Sequence, residues 1–362
     1  MHSHRYAVVM AGGAGTRFWP ASRRRRPKQL LALGPRDDEA LIQGTVRRLE
    51  AICPPERIFI ATGEHLLDVT AAALPQLPRQ NLLAEPAPRN TAPCIAWATA
   101  TLRRRDPDAV VAVLSADHLA EDEPAFHHCL DLALRVAESG TVTTIGLVPT
   151  RPETGYGYIE LGGERADGAR EVRRFVEKPD RERAEQMVRS GSFLWNSGFF
   201  FFRADAMMDA VERFLPDLSD GIRRIDRAAA EGREPQALRE IFPSLPSISI
   251  DYGVMEKLSP LAVVPGNFGW TDVGSWQTVW ELARRDAAGN AAPPDAILVE
   301  SRGNYVADLR TSPSGKTLAL LGVDDLVVVE TDDALLVMPR SRSQDVRHVV
   351  AALGAKGLED KL

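Results

Sequence analysis

Through the first two-thirds of the chain, short apolar runs alternate with stretches whose apolar positions recur at helical spacing. The runs at 5–10, 57–61, 109–114, 141–147, 171–176 and 199–202 read as strands. Helical patterns lie between them, over 38–52, 64–74, an Asn90-capped segment to about Arg103, 124–139 and 180–189. This alternation predicts an α/β domain with a mainly parallel, Rossmann-like sheet. In open sheets of that kind ligands bind beyond the carboxyl ends of the strands, so the residues directly after each run hold the functional interest.

Past about Asp286 the pattern changes to the short runs AILVE, NYVAD, TLALLG, LVVVE and ALLVMP, separated by Arg-Gly-Asn, Ser-Gly and Asp-Asp turn signals. Only an amphipathic stretch near 344–353 reads as helix there. The organisation predicted is a catalytic domain over 1–285 and a β-rich domain over 286–362, with Pro293-Pro294 near the boundary. Strands this short suit a small solenoid or β-roll, and a two-sheet sandwich stays open.

Composition narrows the function classes. With 362 residues, 44% of them hydrophobic, the chain has apolar surface for one large core and a smaller second one. No run reaches the roughly 18–20 apolar residues of a membrane span, and no secretory segment precedes the first strand, so a cytoplasmic protein without a membrane partner is expected. The cysteines Cys53, Cys94 and Cys129 show neither a disulfide framework nor metal-ligand spacing. A net charge of −6 argues against general nucleic-acid or anionic-membrane binding, so any phosphate binding must be local. Only six of the 44 basic residues are lysines, which draws attention to a lysine inside a candidate phosphate motif.

One such motif follows the first strand: Ala11-Gly12-Gly13-Ala14-Gly15-Thr16-Arg17, then Phe18-Trp19-Pro20 and Arg23-Arg24-Arg25-Arg26-Pro27-Lys28-Gln29. Glycines there let backbone N–H groups approach phosphate with no Cβ in the way. A P-loop would need Gly-Lys-Ser/Thr after the glycines, and a dinucleotide fingerprint would need glycine where Phe18 stands. Asp117 follows the apolar run AVVAVLS at a strand's carboxyl end, and Asp272 lies in a Gly/Trp-rich turn. Two carboxylates with phosphate oxygens and water suit the hard, octahedral preference of Mg²⁺. His118 lacks the companion His or Cys ligands that zinc needs.

The segment GGAGTRFWPASRRRRPKQ resembles the N-terminal signature of sugar-nucleotide pyrophosphorylases, and its Trp-Pro and Pro-Lys-Gln elements are similar to the GDP-mannose branch. Further elements follow in family order: EPAPRNTAP at 85–93, SADH at 115–118, ETGYGYIE at 153–160, FVEKP at 175–179, WNSGFFFF at 195–202, SIDYGVMEK at 249–257 and GWTDVGSW at 269–276. The resemblance implies a Rossmann-like nucleotidyltransferase domain followed by a left-handed β-helix-like piece. It implies GMP transfer from GTP to mannose 1-phosphate with Mg²⁺ held by Asp117 and Asp272; a pyrophosphorylase for another sugar 1-phosphate or nucleotide, and a non-catalytic subunit that senses a sugar nucleotide, stay open. Nucleotide contacts fall on Ala11, Gly12, Gly13, Gly15, Thr16, Arg17, Glu85 and Asn90, and Lys28 joins Arg17 on the phosphates. Sugar-phosphate contacts fall on Gly155, Glu177, Lys178 and Asn196. Asn90 reads equally well as a helix cap, and Glu177-Lys178 as a surface ion pair. Tyr156, Tyr158, Trp270 and Trp276 read as pocket walls or as core. Longer relatives carry a further C-terminal isomerase domain; the sequence stops at Leu362, so a single activity is expected. The oligomeric state is not set by the sequence, and a homodimer stays open.

Overall fold

The computed structural model describes residues 4–13, 15–34, 36, 38–311 and 316–362. They fall into two compact units: Met1–Gly12, Thr45–Ala116 and Ala120–Trp270 form the first, and Gly13–Gly44, Asp117–Leu119 and Thr271–Leu362 the second. The segment Gly13–Gly44 and residues 117–119 therefore group with the C-terminal part of the chain.

The first unit is built on a nine-stranded sheet. Its strands are β1 (Arg5–Met10), β2 (Ile58–Gly63), β3 (Leu82–Glu85), β4 (Val110–Ser115), β6 (Thr143–Leu147), β7 (Gly157–Glu164), β8 (Arg170–Glu177), β9 (Phe193–Arg203) and β10 (Ala262–Gly266); the two-residue strands β5 (Leu119–Ala120) and β11 (Trp270–Thr271) stand apart from it. The order is β3-β2-β1-β4-β9-β6-β10-β8-β7. β1 pairs in parallel with β2 and β4, and β2 with β3. These strands read as continuous apolar runs because both faces are covered, and Ala7, Val8, Val9, Phe59, Ile60, Val111 and Val113 are fully buried. β9 runs antiparallel between β4 and β6, β7 pairs antiparallel with both β8 and β9, and β10 returns to parallel pairing with β6.

Helices close the sheet's faces. The helix Thr91–Arg105 is buried at every position from Ala92 to Leu102, which its small, apolar composition permits. Asn90 caps it, accepting from Thr91 N at 2.9 Å. Asp122 caps the helix Glu123–Glu138 in the same manner, accepting from Ala125 N at 3.0 Å. The helices Ala204–Phe214, Pro216–Ala230 and Glu234–Ile241 bury Met207, Val211, Leu218, Ile222 and Ile241 in the same core.

The second unit holds a short β coil. β12 (Ile297–Val299) pairs in parallel with β14 (Ala319–Leu321), and β13 (Tyr305–Asp308) with β15 (Leu326–Glu330); β16 (Leu335–Pro339) closes antiparallel on β15. One coil lies on the next with an offset of 22 residues, as the bonds from Arg302 N to Asp324 and from Leu326 N to Asn304 show. Asn304 is fully buried and satisfied: its Nδ2 donates to Asn290 Oδ1 at 3.1 Å and Val323 O at 2.9 Å. Trp276 anchors the unit's core, 5.2 Å from the Phe18 ring and 5.7 Å from the Tyr305 ring. Among the described residues, no helix is long and apolar enough to cross a membrane.

Candidate active site

Three clusters contain the residues singled out from the sequence. In the first, Ala11 continues β1: its N–H donates to Ala61 O at 2.7 Å and its carbonyl accepts from Thr62 Oγ1 at 3.2 Å. Gly12 follows, and a Cβ on it would stand 3.6 Å from Glu85 Oε2. Gly13 has open space around it, and Ala14 lies outside the described residues. Glu85 ends β3, and its Oε1 is buried without a hydrogen-bond partner. Burial pushes this carboxyl up to about 7, against the opposing hydrogen bond of the Cys94 thiol. A desolvated carboxylate oxygen with no donor is an open acceptor. Asn90 commits its Oδ1 to the helix cap.

The second cluster lies where β7, β8 and β9 adjoin. Glu177 closes β8 with its side chain 7% exposed, and Lys178 Nζ donates to its Oε1 at 2.7 Å. Glu177 Oε2 is buried without a partner. Lys178 sits at φ +48°, a strained conformation that turns its half-exposed side chain back over Glu177. Its ammonium pKa is raised: burial lowers it, and Glu177, Asp251 and Tyr252 outweigh that effect. Gly157 makes the cluster possible, because a Cβ there would stand 2.5 Å from Glu177 Oε2 and 3.1 Å from Asn196 Cβ. Gly155 has a different role: its N–H is taken by Glu153 Oε1 at 3.1 Å.

Asn196 is 8% exposed, and its Oδ1 is fully engaged, accepting from Thr144 Oγ1 at 3.2 Å and Gly198 N at 3.1 Å. Its Nδ2 donates to Asp251 Oδ1 at 3.0 Å. Asn196 therefore orients a carboxyl that lies within SIDYGVMEK but is given no role there. Burial and the neighbouring Glu177 push Asp251 up to about 7. Tyr158 is fully buried core, whereas Tyr156 is half-buried, with its ring 5.2 Å from Trp195 and 5.3 Å from Trp270.

The third cluster belongs to the second unit and centres on Lys28. This lysine is 6% exposed, and its Nζ donates to Asp117 Oδ2 at 2.8 Å and to Asp272 O at 2.5 Å. The Phe18 ring centroid lies 5.6 Å from the ammonium. Burial alone would raise the Asp117 carboxyl, but Lys28 and then His118 hold it below the usual carboxylate range. Gly15 bends the loop beneath Lys28: it adopts φ +59°, and a Cβ there would stand 2.5 Å from Lys28 Cβ and 2.8 Å from Lys28 N. Ser22 Oγ ties the loop down by donating to Gly15 O at 2.8 Å. Asp272 sits in a tight turn in which Val273 adopts φ +44°. A Cβ on Gly274 would stand 3.1 Å from each oxygen of the Asp272 carboxylate.

Lys28, Asp117, Asp272 and Gly15 thus come together. Thr16 and Arg17 are exposed in a single 3₁₀ turn, and Arg17 Nη1 donates instead to Gln344 Oε1 at 3.1 Å. The Asp117 carboxylate and the Asp272 carbonyl meet on one ammonium, and carboxylate and carbonyl oxygens are hard donors of the kind Mg²⁺ takes, so the donor chemistry fits that ion. Trp276 serves as core and not as a pocket wall.

The "Nucleotidyl transferase" family model matches residues 6–289, and the "MannoseP isomerase/GMP-like beta-helix domain" model matches 295–353. A mannose-1-phosphate guanylyltransferase of Klebsiella pneumoniae is 41% identical over 96% of this chain and 73% of its own length. The alginate biosynthesis protein AlgA of Pseudomonas aeruginosa is 39% identical over 97% of this chain and 72% of its own. Among solved structures, one described as a mannose-1-phosphate geranyltransferase from Thermus thermophilus superposes with a TM-score of 0.85 at 35% identity, covering 97% of this chain and 99% of that one.

Proposed function

The chain belongs to the nucleotidyl transferase family, among its mannose-1-phosphate guanylyltransferases, and from this we propose that it transfers GMP from GTP to α-D-mannose 1-phosphate, giving GDP-mannose and pyrophosphate. The observation that supports the reading is the Lys28 cluster, in which a buried ammonium meets the Asp117 carboxylate and the Asp272 carbonyl beside a glycine-rich loop that leaves a strand. Such a set positions and neutralises phosphates. A phosphate oxygen of the sugar phosphate attacks the α-phosphorus of GTP in line with the departing pyrophosphate. That nucleophile is already anionic, so the reaction needs no strong base and no covalent intermediate. Asp117 and Asp272 are the residues that would hold Mg²⁺, which when bound supplies charge against the phosphate oxygens.

The remaining roles follow from the chemistry of each group. Arg17 and the backbone N–H groups of Gly12, Gly13, Gly15 and Thr16 bind the triphosphate, with Lys28 behind them. Lys178 holds the phosphate of the sugar phosphate and Glu177 its hydroxyls. Glu85 accepts from N1–H and the exocyclic amine of guanine, a donor pair that adenine lacks. Pyrophosphate release measured over a panel of nucleoside triphosphates and hexose 1-phosphates tests the assignment. GTP with mannose 1-phosphate is expected to give the highest kcat/KM, and a clear preference for another pair would overturn it.

Two expected outcomes separate the clusters. Lys178→Ala should raise KM for mannose 1-phosphate about tenfold or more and leave KM for GTP near normal, because it removes ground-state binding of one substrate. Lys28→Ala and Arg17→Ala should instead depress kcat and GTP use. Equal small effects at all three positions would return Lys178 to an ordinary surface ion pair.

Glu85 gives the reaction a pH signature. Its carboxyl is pushed up to about 7, so much of it is protonated in neutral solution before nucleotide arrives. Only the ionised form accepts both guanine donors, so KM for GTP should rise as pH falls below about 7. In Glu85→Gln this rise should vanish along with most of the preference for GTP over ATP. An unchanged preference in the variant would remove Glu85 from base recognition.

A further inference from the structure

Asp251 is the one acid in the second cluster without a role so far. It opens the short π-helical turn Asp251–Met255, between helices and β10. The groups facing it are Glu177 and Lys178 at the end of β8 and Asn196 from β9, while Tyr252 and Glu256, just after it in the chain, reach Glu177. Tyr252 and Glu256 brace Glu177 through its backbone: Glu256 Oε1 accepts from Glu177 N at 2.9 Å, and Tyr252 Oη donates to Glu177 O at 3.5 Å.

Asn196 fixes one oxygen of Asp251, and no described ammonium or guanidinium pairs with its carboxyl directly. Lys178 directs its ammonium to Glu177 Oε1. Glu177 Oε2 remains buried with no donor, packed so closely over Gly157 that a Cβ there would stand 2.5 Å from it and 3.1 Å from Asn196 Cβ. An acceptor left dry in this way is unfavourable until a donor arrives.

We propose that Asp251 is a further specificity residue of the sugar-phosphate site, forming with Glu177 a carboxyl pair that takes neighbouring hydroxyls of the hexose. Gly157 packs against both Glu177 and the Asn196 that holds Asp251, so the two carboxyls share one partly desolvated cluster in which Lys178 donates to Glu177, and such acids resist double ionisation. The pair therefore offers one acceptor and one donor: Glu177 accepts from one hydroxyl, and Asp251 in its protonated form donates to the next. A hexose diol, in which each hydroxyl both donates and accepts, matches that arrangement. The pair also accounts for the buried Asn196, whose amide has no spare acceptor and serves to aim Asp251. The proposal rests on the reading of Glu177 and Lys178 as sugar-phosphate ligands.

The test compares kcat/KM for mannose 1-phosphate with its ring-deoxy analogues in the wild type, Asp251→Asn and Lys178→Ala, with thermal melts confirming folding. Asp251→Asn keeps an acceptor for Asn196 but cannot exchange a proton. It is expected to raise KM for mannose 1-phosphate about tenfold, the scale of one hydrogen bond involving a charged pair, with KM for GTP unchanged. The penalty for removing one particular hydroxyl should shrink to about twofold or less in the variant, while the penalties at the others persist. A purely structural role would lower all substrates together. Should Asp251→Asn keep every deoxy penalty and the wild-type KM, the proposal is overturned while the sugar-phosphate reading stands. Should Lys178→Ala also leave KM for the sugar phosphate unmoved, that reading falls with it. If Asp251→Asn does not fold, ¹³C NMR of the aspartate carboxyls in the unmodified protein decides. Mannose 1-phosphate should displace the Asp251 titration, and an undisturbed titration overturns the proposal.

Discussion

Replacing Asp117 or Asp272 by asparagine is expected to lower kcat by roughly 100- to 1,000-fold, the scale of about 3–4 kcal/mol of transition-state charge stabilisation. The two variants should nevertheless differ in stability. Lys28 pairs with the carboxylate of Asp117 and donates to the backbone oxygen of Asp272. Asp272→Asn keeps the backbone bond to the ammonium and should melt closer to the wild type. Asp117→Asn leaves a nearly buried ammonium facing a neutral amide, so its melting temperature should fall by several degrees. From the sequence alone the two acids read as a pair of metal ligands; the structure adds that Lys28 balances the charge of Asp117.

The stability difference carries its own pH dependence. Asp117 is held below its ordinary value, so its ionised form stabilises the fold fully above the unfolded-state pKa and loses that contribution as pH falls through the folded one. The gap in melting temperature between wild type and Asp117→Asn should therefore close in acid. Thermal melts at neutral and acidic pH, with steady-state kinetics at neutral pH, check both parts. Near-normal turnover in both variants would remove the acids from the reaction centre.

The second large effect is expected at Gly15. In Gly15→Ala the new Cβ meets Lys28 Cβ at 2.5 Å and Lys28 N at 2.8 Å, and the second of these is backbone, which cannot swing aside. The positive φ adds about 1–2 kcal/mol for a residue with a side chain. Relaxing the clash must shift Lys28 away from Asp117 and the Asp272 carbonyl. A fall in kcat of about 100-fold or more is expected, together with a lower melting temperature. Gly13→Ala serves as the packing control, since a Cβ there meets nothing within 4 Å, and its melting temperature should match the wild type. A Gly15→Ala enzyme with unchanged kcat would show that the placement of Lys28 is immaterial.

These effects are only partly legible in the sequence. The strands β1, β2 and β4 stand out because burial on both faces leaves uninterrupted apolar runs, and β1 begins and ends where the pattern places it. β9 begins six residues before the expected 199–202 run, because Asn196 and Ser197 interrupt its apolar signal. Both polar residues are buried there and satisfied by Thr144 and by Ile145 O, partners that no local pattern reveals. β10 escapes notice because Pro265 lies within it. The alternation predicts a mainly parallel sheet, and parallel pairing holds from β3 to β4; the return of β9 and β7 makes much of the far side antiparallel.

At the site, residue types are readable and partnerships are not. Lys28 lies 89 positions from Asp117 and 244 from Asp272, separations over which a sequence carries no pairing information. Asp251 looks in SIDYGVMEK like one polar residue in a turn, and only its burial beside Glu177 distinguishes it. A lone acid directly after the apolar Ile250 is the available signal. Of the two glycines in Thr-Gly-Tyr-Gly, Gly157 is the one pressed against the carboxylate, because the strand's alternation turns its missing side chain toward Glu177.

The most direct measurement of the central claim is ³¹P NMR of the purified protein with GTP, mannose 1-phosphate and Mg²⁺. The expected result is equal growth of pyrophosphate and of the paired diphosphate resonances of GDP-mannose, with neither formed when either substrate is withheld. Consumption of GTP to GDP or GMP without a sugar nucleotide, or no reaction at all, would contradict it.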